Sequence, residues 1–294
     1  MDDAWAGLRA LVALAERGSF SAAARELRLT RPAVSKAVSR LEERHGVRLV
    51  ERSRHATILT EAGQALVVQG RRARDAFAAS EDILRDGAGE PRGVVRLDLP
   101  PAFGRRWVLP ALLDLQARHP GLRLEVGFST RNSELVADGV DVAVRIGRLP
   151  DRAEVVARRL GMQPTGVFAS PAYLANAAPL QGVADLDRHA CLLQVPDERW
   201  SWLGPALQPA SRLVLADSSA LLQAVIAGHG IARLPAWMVA AQPEGALVAV
   251  LVNSPAPALP INALWPRGRH LPRRVRVVID ALVTALAAEP AFHP

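Results

Sequence analysis

Along residues 19–63 the apolar positions recur twice at helical spacing, with a short break between the two runs. Phe20, Ala23, Ala24 and Leu27 step by three or four or stand adjacent on one face, and Ser19 or Ser21 precedes them as a candidate N-cap. Arg28, Leu29 and Thr30 interrupt the pattern. Val34, Val38 and Leu41 then recur by four and three behind Thr30, a second candidate N-cap. Pro32 falls in the first turn of that helix, where its missing N–H would have no partner anyway. The opposite face collects Arg31, Pro32, Ser35, Lys36, Ser39 and Arg40. Gly46 ends the helix, and residues 47–59 read as a small two-stranded wing carrying Arg48, Arg52, Arg54 and His55.

Two short helices across a tight turn, the second with a basic outer face, form a helix-turn-helix arrangement. Its second helix lies in the DNA major groove with its N-terminal residues at base edges. The spacing therefore predicts a DNA-reading surface made of Arg31, Pro32, Ala33, Ser35, Lys36, Ser39, Arg40, Arg52 and Arg54. Pro32, Ala33, Ser35 and Lys36 face the bases, while Lys36, Arg48, Arg52 and Arg54 contact phosphates.

From residue 60 to residue 87 there is no proline and the pattern stays helical. Ala62, Leu66, Gln69, Ala73, Ala76, Ser80 and Ile83 step by four and three, a seven-residue repeat that lets two copies of the helix pair. Gln69 and Ser80 interrupt that seam, and the alternative is a single helix packed on its own domain. Residues 88–93, containing Pro91, read as a hinge. Beyond it, apolar strands are predicted at 94–99, 122–128, 140–144, 155–160, 165–169, 212–215, 231–234, 247–250 and 261–265. Helices are predicted at 103–119, 133–138, 171–175, 218–228 and 273–288. Such alternation argues for α/β sheets, at least partly parallel, with helices on both faces.

Composition narrows the classes. The chain has 294 residues, half of them apolar, enough for two or three domains with their own cores. The net charge is +7, and residues 25–54 alone carry nine basic side chains against four acids. Lys36 is the single lysine, and the arginine and alanine excess is read as a compositional habit of the source. Cys191 stands alone, so a disulfide framework and a cysteine metal cluster are excluded. No cofactor and no metal are expected. No signal peptide opens the chain and no apolar run is long enough to span a bilayer, so a cytoplasmic protein with no membrane partner is expected.

The ordered spacing at the N-terminus resembles the DNA-binding domain of LysR-type transcriptional regulators. The residues that carry the resemblance are Gly-Ser-Phe at 18–20, Ala-Ala at 22–23, Arg-Pro-Ala-Val-Ser at 31–35, Leu41-Glu42, Gly46, Leu49, Arg52 and Leu-Thr-Glu-Ala-Gly at 59–63. Pro110, His-Pro-Gly at 119–121, Asp141, Ala143, Arg-Ile-Gly at 145–147, Ala190-Cys191-Leu192, Gly-His-Gly-Ile at 228–231 and Leu234-Pro235 extend it to nearly the whole chain. The resemblance implies a winged helix-turn-helix over 1–60, a dimerising linker helix over 61–87, a hinge over 88–93 and an effector-binding domain over 94–294. That domain would consist of two periplasmic-binding-protein-like subdomains, one of residues 94–162 with 266–294 and the other of residues 163–265, joined near 159–164 and 262–266. Implied partners are double-stranded DNA with an inverted repeat, a small-molecule effector, RNA polymerase and further copies of the chain as homodimer or homotetramer.

An effector is expected in the cleft between subdomains, at strand-to-helix junctions where free N–H groups and helix dipoles gather. Those junctions hold Ala102 and Phe103, then Ser129 and Thr130, then Arg145 and Gly147, with Ser218 opening a later helix and His229 in a Gly-His-Gly turn. Trp200 and Trp202 are expected to supply an aromatic wall. Family members often carry a small hydroxyl residue where this chain has Ala102, a departure that puts carboxylate binding there in doubt. Two other classes compete. An enzyme could pair Cys191 with His189, or a serine with His229 and Asp217, yet the chain has no G-x-S-x-G elbow, phosphate loop or H-E-x-x-H. A solute-binding receptor would share the two-lobed domain, but the reading head argues against it.

Overall fold

The structure, a computed structural model, describes residues 2–52, 57–84, 90–130, 135–149, 153–195, 200, 202, 213–268 and 271–293. It divides into two units, Met1–Gly89 with Val136–Gly139, and Glu90–Leu135 with Val140–Pro294.

In the first unit α1 (Asp2–Arg17), α2 (Phe20–Leu27) and α3 (Arg31–His45) pack around one core. They are followed by β1 (Val50–Arg52), β2 (Thr57–Leu59) and α4 (Glu61–Leu84). The predicted caps form: Ser19 Oγ accepts the Ala22 N–H at 3.2 Å, and Thr30 Oγ1 accepts the Ala33 N–H at 3.3 Å. Gly46 closes α3 in the left-handed region at φ 65°. Val34, Val38 and Leu41 are buried against Leu11, Leu14 and Phe20, so burial of one apolar stripe fixes which face of α3 turns outward. β1 and β2 pair antiparallel as the wing.

The second unit holds two five-stranded sheets. In the first, β3 (Gly93–Leu99) pairs parallel with β4 (Leu122–Phe128) and β5 (Val142–Ile146). Beyond β5, the strands β12 (Leu259–Pro266) and β6 (Val155–Gln163) continue antiparallel. In the second, β8 (Cys191–Gln194) pairs parallel with β9 (Leu213–Leu215) and β10 (Ile231–Pro235). There β7 (Thr165–Ala169) and β11 (Val248–Val250) add an antiparallel edge. The helices of this unit are α5 (Pro101–Phe103), α6 (Leu109–Arg118), α8 (Pro171–Asn176), α9 (Ser218–Ile226), α10 (Ala236–Ala240) and α11 (Arg273–Ala287), while α7 (Leu135–Asp138) falls, but for Leu135, in the first unit. Each sheet has its own core. In the second sheet, side-chain alternation sends Cys191, Leu193 and Ile231 to one face and Leu192 and Ala232, with the α9 residues Leu221 and Val225, to the other.

Three expectations change. The helix predicted at 103–119 starts at Pro101 and contains a π-helical turn, Gly104–Val108, between α5 and α6. The strand expected at 140–144 is Val142–Ile146, which brings Arg145 inside the sheet. The second crossing between lobes also falls earlier than 262–266. All of Leu259–Pro266 pairs within the first sheet, from Leu259 opposite Gln163 to Pro266 opposite Val155, so the boundary of the second lobe lies before Leu259 and not at 265.

Candidate functional site

Burial of Val34 and Val38 leaves Arg31, Pro32, Ala33, Lys36 and Arg40 exposed on α3, with Ser35 and Ser39 half-buried. The predicted reading surface is thus one contiguous outer face beginning at the helix N-terminus. Glu42 fixes the wing to this helix, a role the spacing did not reveal. Its Oε1 accepts the N–H groups of Leu49 and Val50 at 2.8 and 3.0 Å. The Thr60 hydroxyl donates to the Arg48 carbonyl at 2.8 Å and accepts the Gly63 N–H at 3.0 Å, tying the wing base to the start of α4. Gly63 is compulsory there: a Cβ at this position would lie 2.1 Å from the Leu49 carbonyl oxygen. Arg48 is exposed beside this anchor. Arg52 ends β1, and Arg54 and His55 lie outside the described residues.

α4 lies against α1. Val67 is buried in the shared core, and Glu16 accepts from Arg71 Nε at 3.1 Å and from both terminal nitrogens of Arg74 at 2.9 and 3.2 Å. Leu66 packs against the same core, and Ala73 is half-buried; Ala62, Gln69, Ala76 and Phe77 are exposed, Phe77 to 63%. The side chains of Ser80 and Ile83 lie outside the described set.

In the second unit the C-terminal ends of β3, β4 and β5 gather Asp98, Ser129 and Arg145. Asp98 is the member that sequence reasoning missed. Its Oδ2 accepts from the Ser129 hydroxyl at 2.8 Å and from Arg145 Nη2. Arg145 Nη1 also donates to the carbonyls of Asp98 (3.1 Å) and Val144 (2.8 Å). Only 9% of Arg145 is exposed, so its charge is matched from inside the sheet. Ala102, at the next junction, packs against the cluster of Leu192, Leu221, Leu222 and Leu234, which turns the β3–α5 corner toward β8 and α9 of the second lobe. At the start of α9, Ser218 Oγ accepts from Gln194 Nε2 at 2.8 Å, and Asp217 Oδ1 caps the helix by accepting from Ser219 and Ala220. Thr130 is exposed after β4, and Gly147, at φ 106°, donates its N–H to the Pro260 carbonyl.

Three expected cleft residues sit elsewhere. Trp200 is only 2% exposed and belongs to the core on the Cys191 face of the second sheet, the face opposite α9. Phe103 is buried in the first lobe, edge-on to Phe292 and to Trp237 of α10. His229 lies three residues past the C-terminal end of α9, a nine-residue helix about 13 Å long at 1.5 Å per residue that Ser218 opens. The lobes also meet through Trp237, which packs edge-on to Trp107 and donates Nε1–H to Gln163 Oε1 at 3.0 Å. Cys191 and His189 do not bond each other. The thiol reaches the Leu186 carbonyl at 3.9 Å, and His189 Nδ1 lies 3.0 Å from the Tyr173 hydroxyl. Burial, with Asp187 adding to it, pushes the Cys191 thiol up to about 12, far from a reactive thiolate.

A groove of about 400 Å³ lies between α6 and α11, lined by Asp114, Arg118 and Asp280, toward the far end of α6 from the strand junctions. Among the described residues no helix is long and apolar enough to cross a membrane. Nor is any group of three His, Cys, Asp or Glu side chains among them placed to hold a metal ion.

A DNA-reading head and a two-lobed α/β domain in one chain define a ligand-responsive DNA-binding protein, and comparison with known proteins gives the family. The bacterial regulatory helix-turn-helix of the lysR family matches residues 5–64, and the LysR substrate binding domain matches residues 88–287. An HTH-type transcriptional regulator of Xanthomonas campestris is 33% identical over 289 residues, covering 94% of this chain and 83% of its own. The HTH-type transcriptional activator AaeR of Escherichia coli is 31% identical, covering 91% of this chain and 89% of its own. Among solved structures, CrgA of Neisseria meningitidis, a LysR-type transcriptional regulator, aligns with a TM-score of 0.59 at 28% identity over 95% of this chain and 98% of its own. A full-length OxyR variant of Pseudomonas aeruginosa shares the fold with a TM-score of 0.71 at 19% identity, over 98% of this chain and 96% of its own. The chain belongs to the LysR family: it is a DNA-binding transcriptional regulator with a C-terminal effector-binding domain.

Proposed function

We propose that this regulator binds an inverted-repeat operator as a homodimer or homotetramer in the cytoplasm, and that a small molecule between the two lobes adjusts that binding. The observation that carries the reading is the exposed first turn of α3, with Arg31, Pro32, Ala33 and Lys36 held beside an anchored wing. Arg31, Ser35, Lys36, Ser39 and Arg40 supply base and phosphate contacts, and Arg48, Arg52 and Arg54 supply phosphate contacts from the wing. The outward face of α4 pairs two chains, placing two reading heads on half-sites about one helical turn apart. The effector favours one lobe arrangement only through better binding to it, and that preference passes to the linker helices. Contact with RNA polymerase is the route to promoter control.

The test is fluorescence anisotropy on an operator fragment. Arg31→Ala with Lys36→Ala lowers affinity by about 10- to 100-fold, as expected for two lost DNA contacts. Arg48→Ala weakens binding evenly across sequences and reduces the logarithmic salt slope by about 1. Unchanged affinity in the double variant contradicts the assignment of the reading surface.

A further inference from the structure

We propose that Gly70 and Glu16 set the angle between the reading head and the linker helix α4, and through it the spacing at which two half-sites are accepted, while α3 sets their sequence. The inference rests on the reading that two chains pair through α4, and it names the residues that hold the geometry of the pair. α1 lies between the reading helix and the linker and touches both at glycines. At Gly7 a Cβ would lie 2.9 Å from the Ala37 carbonyl oxygen and from Leu41 Cβ, so α1 rests directly on α3. At Gly70 a Cβ would lie 2.6 Å from Val12 Cγ2 and 2.8 Å from Leu8 Cδ1, so α4 rests as closely on α1. Gly63, Val67, Gly70 and Arg74 recur by four, three and four along α4, one helical face turned to the head. Glu16 closes the contact from α1. Its carboxylate accepts from Arg71 Nε at 3.1 Å and from the two terminal nitrogens of Arg74 at 2.9 and 3.2 Å. A guanidinium fork on a carboxylate fixes orientation as well as distance.

Two contact points along one helix make a lever. Gly63, pressed on the Leu49 carbonyl, is the near point, and Gly70 lies about 10 Å further along at 1.5 Å per residue. Leu84 lies about 32 Å from Gly63, so a displacement at Gly70 grows about threefold by the end of α4. Carbon atoms rest at about 3.5–4.0 Å, so a methyl at position 70 calls for roughly 1 Å of movement. Leu8 is half-buried and can turn aside, but Val12 is only 4% exposed and, β-branched within a helix, is held in one rotamer. α4 therefore yields, by about 1 Å at Gly70 and about 3 Å at its far end, close to the ~3.4 Å rise of one base-pair step. None of the residues on the outer face of α3 takes part in this contact. The sequence read in each half-site stays the same while the distance between half-sites changes.

The experiment uses the full chain and a pool of random-sequence DNA duplexes several helical turns long. Repeated capture and sequencing report both the half-site and the spacing between its two copies. The wild type is expected to enrich paired half-sites at one dominant spacing, with neighbouring spacings disfavoured by about tenfold. Gly70→Ala, a change that favours the helix itself, enriches the same half-site with the dominant spacing changed by about one base pair. Glu16→Gln keeps the size of the side chain and removes its charge. It recovers the same half-site with neighbouring spacings within about threefold of the best. A merely structural role lowers the yield of every pair alike and leaves the distribution of spacings where it was. Both variants returning the wild-type spacing with wild-type sharpness overturns the proposal, and where Gly70→Ala shows no cooperative unfolding transition the Glu16→Gln result decides alone. A changed half-site sequence at unchanged spacing overturns it as well. Single half-sites enriched by the wild type, with no second copy at a fixed distance, contradict the pairing of chains and the proposal with it. Paired half-sites whose spacing ignores both substitutions contradict the proposal and leave pairing intact.

Discussion

Cys191 illustrates how burial decides the role of a single residue. Its pattern in the sequence, one cysteine two residues after a histidine, permitted a nucleophile; its surroundings make it a core side chain. The folded thiol at about 12 holds its proton more tightly than an ordinary thiol at 9.0. Its contribution to stability is therefore complete below pH 9 and is lost as the pH rises from 9 toward 12. Iodoacetamide at pH 8 is expected to leave the native chain unlabelled over hours and to label it within minutes in urea. Rapid native labelling contradicts the burial. Cys191→Ala costs about 1 kcal/mol in chemical denaturation and no DNA affinity. At this scale the sequence was a partial guide. Ser129 and Arg145 were legible as junction residues, but Asp98 was hidden because an acidic residue inside an apolar strand shows no period of its own. Trp200 was misplaced because an aromatic side chain carries no signal of which sheet face it will fill.

Among the elements, α3 and its wing were the most legible, because caps, apolar stripe and glycine stop all agree locally. The α1 helix went unread since its pattern lies outside the recognisable register, although Leu11 and Leu14 supply much of the core that α3 needs. The five-residue helix α10 is too short for periodicity to reveal, and its Trp237 matters only through contacts distant in sequence. Glu42 was quoted in the motif, and its bonds to Leu49 and Val50 give the motif a mechanical reason. Glu42→Ala leaves two N–H groups without their charged acceptor, each such bond being worth about 1.5–3 kcal/mol. The expected outcome is faster amide exchange in β1 and a DNA affinity lowered by about tenfold, with the effector domain unchanged. For α4, Ala62→Glu with Ala76→Glu places charge on the exposed face. Sedimentation is expected to shift toward monomer and operator affinity to fall by at least about tenfold, since half-site binding loses its linked partner. A variant that keeps both its size and its affinity contradicts pairing through that face.

At the scale of the whole molecule, two designs share one chain: a helical head in which one stripe of Val34, Val38 and Leu41 sets the reading face, and paired α/β sheets whose strand ends meet. The alternation of strands and helices was readable because nearly every strand is a short apolar run bounded by turns. The lobe boundary was not, because Leu259–Pro266 is a strand by pattern, and only its ladder with Val155–Gln163 assigns it to the first sheet. The exposed face of α3, doubled by pairing of chains, is proposed to read a defined DNA sequence. Selection of bound genomic fragments by the full chain, followed by footprinting, tests it most directly. Discrete protected sites upstream of genes are expected, each holding an inverted repeat with half-sites about one helical turn apart, with loss of protection in the Arg31→Ala and Lys36→Ala variant. Uniform retention of all fragments with no protected site, unchanged by those substitutions, would contradict it.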